Sequence, residues 1–171
     1  MELNGHGLHA TMPPGWEGSI ALERGPEGIE LAAAGGVLRP VAHLASFPLP
    51  GDRGDFGSGA VELMRTEDVF VALLEYDPAE ADAALFARRG MPRRLDPRRF
   101  SAASLQRGLP EQAGYQEFFT EAGRPFCLYV VLGDRNDAHL QVRRVEQVLA
   151  GVRIDPLPAP SSIAEPPTGT P

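Results

Sequence analysis

Two segments of this chain are apolar at every position, whichever parity is counted. They are Val69-Phe70-Val71-Ala72-Leu73-Leu74, within residues 68–76, and Phe126-Cys127-Leu128-Tyr129-Val130-Val131-Leu132. A strand sends alternate side chains to opposite faces of its sheet, so such a run is stable only where both faces are covered. Burying one of these side chains contributes roughly 1.5–3 kcal/mol, so a wet face would remove much of a small domain's stability. The two runs therefore predict central strands, and helices on both faces are the expected cover.

The flanking sequence fits that frame. Residues 115–120 are expected to pair antiparallel with 125–132 across the tight turn Ala122-Gly123-Arg124. Further strand candidates are residues 6–12, stopped by Pro13-Pro14-Gly15, then 16–22, and 41–47 between Pro40 and Pro48. The turn Gly25-Pro26-Glu27-Gly28 suggests a return strand over 29–34. Asp77-Pro78-Ala79-Glu80 reads as an N-cap, a first-turn proline and an acidic third position, predicting a helix to about residue 89. A second helix over 138–150 places Val142, Val145, Val148 and Leu149 on one stripe, with Asn136 or Asp137 as cap and Gly151 as terminator. A shorter helix is expected over 59–65. The fold class expected is α+β: a mainly antiparallel sheet with helices on both faces.

At 171 residues one domain is expected, over 1–155. Six of the 17 prolines fall between Pro156 and Pro171, which predicts a proline-rich, disordered tail over 156–171. No apolar run approaches the roughly 20 residues of a membrane helix. Met1-Glu2-Leu3-Asn4-Gly5-His6 has neither a basic nor an apolar region, so no secretory signal is expected. The single Cys127 excludes an internal disulfide framework and any multi-cysteine metal centre. A net charge of −7 argues against nucleic acid as a partner. All 16 basic residues are Arg, a bias that fits a GC-rich bacterial genome and weakens any functional reading of Arg over Lys. A cytoplasmic protein without membrane partner, cofactor or metal is the expectation.

The run Met12-Pro13-Pro14-Gly15-Trp16, followed by antiparallel strands and a strand–helix finish through Val145, Leu149 and Val152, resembles the PsbP-like α/β/α sandwich. The resemblance covers most of the folded chain in outline, with Pro-Gly-Trp as its motif. It implies a binding or accessory module; that superfamily shares no catalytic residues, so none are carried over. The segments 55–61 and 124–133 also look like those of small uncharacterised actinobacterial proteins.

Among candidate sites, the arginine cluster is the most conspicuous. Arg88, Arg89, Arg93, Arg94, Arg98 and Arg99 are opposed in their segment by Asp96 alone. A guanidinium patch on an acidic protein can take phosphate or an acidic partner bidentately; the competing reading is a solvated segment paired with the protein's own carboxylates. The glycine-rich loop Gly51-Asp52-Arg53-Gly54-Asp55-Phe56-Gly57-Ser58-Gly59 could present amides to a phosphate, but it matches neither phosphate-binding glycine signature, and turn chemistry accounts for it. Ser58 lacks the glycine spacing of a nucleophile elbow. His6 and His9 fall on opposite faces of a strand and make poor joint ligands; His43 reads as a hydrogen-bonded sheet histidine and His139 as exposed. Cys127 reads as a small buried apolar residue. The function expected is a non-enzymatic binding or accessory module with a protein partner, acting through a surface patch at the arginines. The alternatives are a small anionic-ligand binder or enzyme that combines the glycine-rich loop with the arginine cluster, and a subunit of a larger assembly.

Overall fold

A computed structural model describes residues 1–24, 37–106 and 109–157. Its centre is a five-stranded antiparallel sheet in the order β3-β4-β5-β7-β6, with β3 at Glu17–Arg24, β4 at Leu38–Ala45, β5 at Val69–Glu75, β6 at Ala113–Glu121 and β7 at Arg124–Leu132. A second, three-stranded antiparallel sheet joins β1 (Glu2–Gly5), β2 (Leu8–Thr11) and β8 (Val152–Ile154) in the order β1-β2-β8. The α+β class and the antiparallel order are thus present. Every residue of β5 and of β7 is buried, as their double-parity apolar runs require.

The two faces are covered differently. On one, Val69, Val71 and Leu73 of β5 and Leu128, Val130 and Leu132 of β7 pack against α1 (Ala138–Ala150) and the small sheet. Val142, Val145, Val148 and Leu149 form the buried stripe of α1 at the expected spacing. Gly151 ends the helix and lets it return directly into β8: a Cβ there would lie 2.1 Å from the Thr11 carbonyl. On the other face, Phe70, Ala72, Leu74, Cys127, Tyr129 and Val131, with Phe118 of β6 beside them, pack under Phe47, Phe56, Val61 and Leu105. Among the described residues that second cover is loop and single 3-10 turns rather than α-helix.

Among the described residues, the expectation of helices on both faces therefore meets one α-helix on one face and an irregular layer on the other. Asp77 does cap, accepting from the Ala79 amide at 2.9 Å, but only 3-10 turns at Pro78–Glu80 and Ala84–Phe86 follow. Phe86 is buried there while Leu85 is exposed, so the segment lacks the apolar stripe that would hold an α-helix down. The 59–65 segment likewise makes only a turn at Val61–Leu63. Asp137 is the N-cap residue of α1, as expected, although its side chain makes no capping hydrogen bond; Asp134 caps the 3-10 turn Arg135–Asp137 ahead of it, accepting from the Asn136 amide at 2.8 Å. The return strand expected over 29–34, and the tail beyond Leu157, lie outside the described residues. No helix among the described residues is long and apolar enough to cross a membrane.

Candidate functional site

The arginine segment runs along the outer edge of β6 rather than around a pocket. The Thr120 amide donates to the Arg88 carbonyl and the Gly90 amide to the Thr120 carbonyl, both at 2.8 Å, while Ser101 and Gly114 exchange backbone bonds further along. This closes a strand edge that would otherwise offer unpaired amides to another chain. Each of the six side chains is held by its own protein. Arg88 and Arg99 share Glu117 at 3.2 and 2.9 Å, and the Arg99 guanidinium also lies over the Tyr115 ring. Arg89 reaches Asp82, Arg94 reaches Glu146 and Arg98 reaches Asp96. Arg93 donates to the Leu149 and Val152 carbonyls at 2.5 and 3.0 Å, where the C-terminal end of the α1 dipole favours a cation. The six do not converge; Arg94 and Arg98, with side chains 90% and 86% exposed, are what the segment could offer an acidic partner.

The glycine-rich loop does build a cavity, on the irregular face of the sheet. Gly57 has φ +81°, and a Cβ there would lie 2.4 Å from the Phe70 ring, so the loop sits directly on β5. The Gly54 amide donates to the Ser58 carbonyl at 2.9 Å, the Gly57 amide to the Gly54 carbonyl at 2.7 Å, and the Gly59 amide to a Glu62 carboxylate oxygen at 2.6 Å. These amides are satisfied within the loop, so they do not form the anion cradle that its composition suggests.

Arg53 and His43 bolt the loop to the sheet. Arg53 Nε donates to His43 Nδ1 at 2.9 Å, its NH1 donates to the Pro50 carbonyl at 2.6 Å, and its NH2 reaches Ser19 Oγ. Because Arg can only donate, His43 Nδ1 carries no proton, and Nε2–H donates to the Asp55 carbonyl at 2.7 Å. Burial pushes this imidazole down to about 4, and the Arg53 charge adds to that. His43 is the hydrogen-bonded sheet histidine expected, locked neutral. Beside it, Glu23 at the end of β3 hydrogen-bonds the Asp55 carboxylate. Burial, followed by that bond and the negative charge of Asp55, pushes Glu23 up to about 7.

Between the loop and the sheet lies a cleft of about 460 Å³. Asp55, Phe56 and Ser58 form its loop wall, Val61 and Leu105 its sides, and Tyr129 of β7 its floor. The Phe56 and Tyr129 rings meet edge to face at 5.3 Å. Tyr129 accepts the Gln106 amide at 3.1 Å, which leaves its hydroxyl proton uncommitted. Gln112 stands in the wall, 6% exposed; its Nε2 donates to the Val61 carbonyl at 2.7 Å, but its buried Oε1 has no partner. Of these residues, sequence reasoning singled out the loop alone. Gln112, Leu105 and the phenol of Tyr129 carry no local signal, because segments near residues 55, 105 and 129 meet only in the folded chain.

Fold and site together define an antiparallel α+β domain with a loop-walled cleft over the middle of its sheet. Compared with known proteins, the chain matches no family model, no curated protein and no solved structure.

Proposed function

We propose that this chain is a non-enzymatic cytoplasmic binding or accessory module, built on the plan of a PsbP-like sandwich, that holds a small molecule in the cleft under the glycine-rich loop. One observation carries the reading: a cleft of about 460 Å³ is lined by Gln112, a buried residue whose Oε1 has no hydrogen-bond partner. An unsatisfied buried acceptor costs about 1–3 kcal/mol, which marks this wall as a place where a small shift of the Gln112 amide toward a bound donor would be favourable. The size falls within the range of roughly 300–1,000 Å³ typical of small-molecule sites.

The surrounding chemistry supports binding over catalysis. Both His43 nitrogens are already engaged, by Arg53 and by the Asp55 carbonyl. Burial pushes the Cys127 thiol up to about 12, far from a useful thiolate.

The test is a thermal-shift screen of the full chain against a broad panel of small metabolites, repeated on Leu105→Trp, which fills the cleft. A true ligand at about 100 times its Kd contributes roughly 2.7 kcal/mol, a shift of several degrees in Tm. Saturable shifts that vanish in Leu105→Trp are expected. Shifts from no member of the panel, or shifts that survive the filled cleft, overturn the proposal.

A further inference from the structure

We propose that His9 works as a proton-dependent clasp: a charged imidazole on the middle strand of the small sheet fastens β1 on one side and the end of β8 on the other. β2 lies between β1 and β8, and His9 stands opposite Asn4 of β1 and Arg153 of β8. Both ring nitrogens are engaged. Nδ1 lies 2.6 Å from Asn4 Oδ1, and Nε2 lies 2.6 Å from Asp155 Oδ2, just past the end of β8. Both of these partners are acceptors. The bond from His9, followed by the charge of Arg153, holds the Asp155 carboxyl below its ordinary range, so near neutral pH it is ionised and Nε2 must donate. The amide oxygen of Asn4 likewise takes a proton from Nδ1. A ring that donates from both nitrogens is an imidazolium, and imidazole is the side chain that ordinarily changes charge between about pH 5 and 8.

The groups around the ring leave its proton responsive. Asp155, and Glu2 in the same open recess, favour the cation; Arg153, which donates to the second Asp155 oxygen, opposes it. The His9 side chain is 28% exposed, so water can take the proton. From within the core, Arg124 donates to the carbonyls of His6, Gly7 and Asp155. The small sheet is thus fastened twice, by a guanidinium that keeps its charge at any pH and by an imidazole that does not. When the ring loses its proton, the Asn4 amide must turn over to offer Nδ2–H to a bare Nδ1, and the bond to Asp155 keeps charge on one partner only. β1 and the end of β8 then rest on their ladder bonds and on Arg124. Leu8 and Ala10 of β2 and Val152 and Ile154 of β8 belong to the core on the helix side, so the loosened strands are part of that core's cover.

The test is amide hydrogen exchange of the full chain, read by NMR as protection factors between about pH 5.5 and 8, which removes the intrinsic pH dependence of exchange. Protection in β1 and β8, taken relative to β7, is expected to fall about threefold or more as pH rises across that range. Dividing by β7 sets aside changes in global stability. His9→Gln keeps a donor but has no titratable ring, and should make the ratio flat. Asn4 is exposed, so Asn4→Ala is expected to fold even if His9→Gln does not; it should abolish the pH response in β1 and leave it in β8. A wild-type ratio that does not change with pH overturns the clasp. A fall that persists in His9→Gln assigns the response to another group, such as His6 in the β1–β2 turn, and overturns it as well. So does an Asn4→Ala chain whose β1 still responds.

Discussion

Arg124 of β7 and Glu75 of β5 form a bidentate ion pair with both side chains buried, Nε to Oε1 at 2.8 Å and NH2 to Oε2 at 2.6 Å. The remaining guanidinium hydrogens reach the carbonyls of His6, Gly7 and Asp155 at 3.0, 3.2 and 2.9 Å. One side chain therefore satisfies the turn between β1 and β2 and the end of β8, tying the small sheet to the large one. Breaking a buried pair from one side leaves an uncompensated charge, so Arg124→Met is expected to cost about 3–5 kcal/mol in urea unfolding. Adding Glu75→Met should recover part of that and not all, because the carbonyls of His6 and Asp155 still lose their Arg124 donor, while Gly7 keeps the Asp155 amide. An unchanged unfolding midpoint in Arg124→Met would refute the role.

Stability should respond to pH through two neighbouring groups acting in opposite directions. His43 is held neutral down to about 4, against an ordinary 6.5, so between those values the unfolded chain binds more protons and stability rises with pH. At about 1.4 kcal/mol per pH unit, the neutral ring contributes on the order of 3 kcal/mol above pH 6.5. Glu23 keeps its proton up to about 7, against an ordinary 4.5, so there the native chain binds more protons and stability falls as pH rises. The limbs oppose each other. Glu23→Gln is expected to steepen the gain in stability between pH 4.5 and 6.5, read from urea midpoints across that range. A profile parallel to wild type would remove Glu23 from the account.

The arginines should separate by partner rather than by exposure class. Arg93→Ala removes two charge-assisted bonds, one to the Leu149 carbonyl at the end of α1 and one to the Val152 carbonyl of β8, and should cost about 1.5–3 kcal/mol. Arg94→Ala and Arg98→Ala remove exposed ion pairs and should stay within about 0.5–1 kcal/mol of wild type. Urea midpoints for the three variants, at low and high salt, check the ordering.

Much of this architecture could be read from the sequence, and the unread parts share a cause. Strands β5 and β7 announce themselves because every position is apolar, and Ala122-Gly123 marks the turn between β6 and β7, with φ of +53° and +77°. The stripe Val142-Val145-Leu149 gives α1. The small sheet was missed outside β2, because β1 spans four residues and β8 three, too short for alternation to register. The segment after Asp77 misled because capping residues report where a turn begins and not how far it continues. At the site, the loop was legible from its glycines, whereas Gln112 becomes conspicuous only once its Oε1 is seen buried without a donor.

Two glycines with the same backbone angle should respond differently to a methyl group. Gly15 and Gly57 both have φ +81°, but a Cβ at Gly15 meets nothing within 4 Å, while at Gly57 it meets the Phe70 ring at 2.4 Å. Gly15→Ala should cost only the left-handed strain, about 1–2 kcal/mol. Gly57→Ala adds a steric conflict, is expected to cost more than its counterpart, and should also weaken any cleft ligand by lifting the loop off β5. Equal losses in thermal unfolding would show that the loop yields freely.

The irregular cladding on one side of the sheet has an evolutionary consequence. Strand register and helix packing fix the opposite side, where an inserted residue would turn side chains away from their neighbours. The cleft side is dimensioned by segments that tolerate changes in length. Divergent descendants of this chain could therefore alter what they hold by lengthening or trimming those segments, while the framework beneath stays the same.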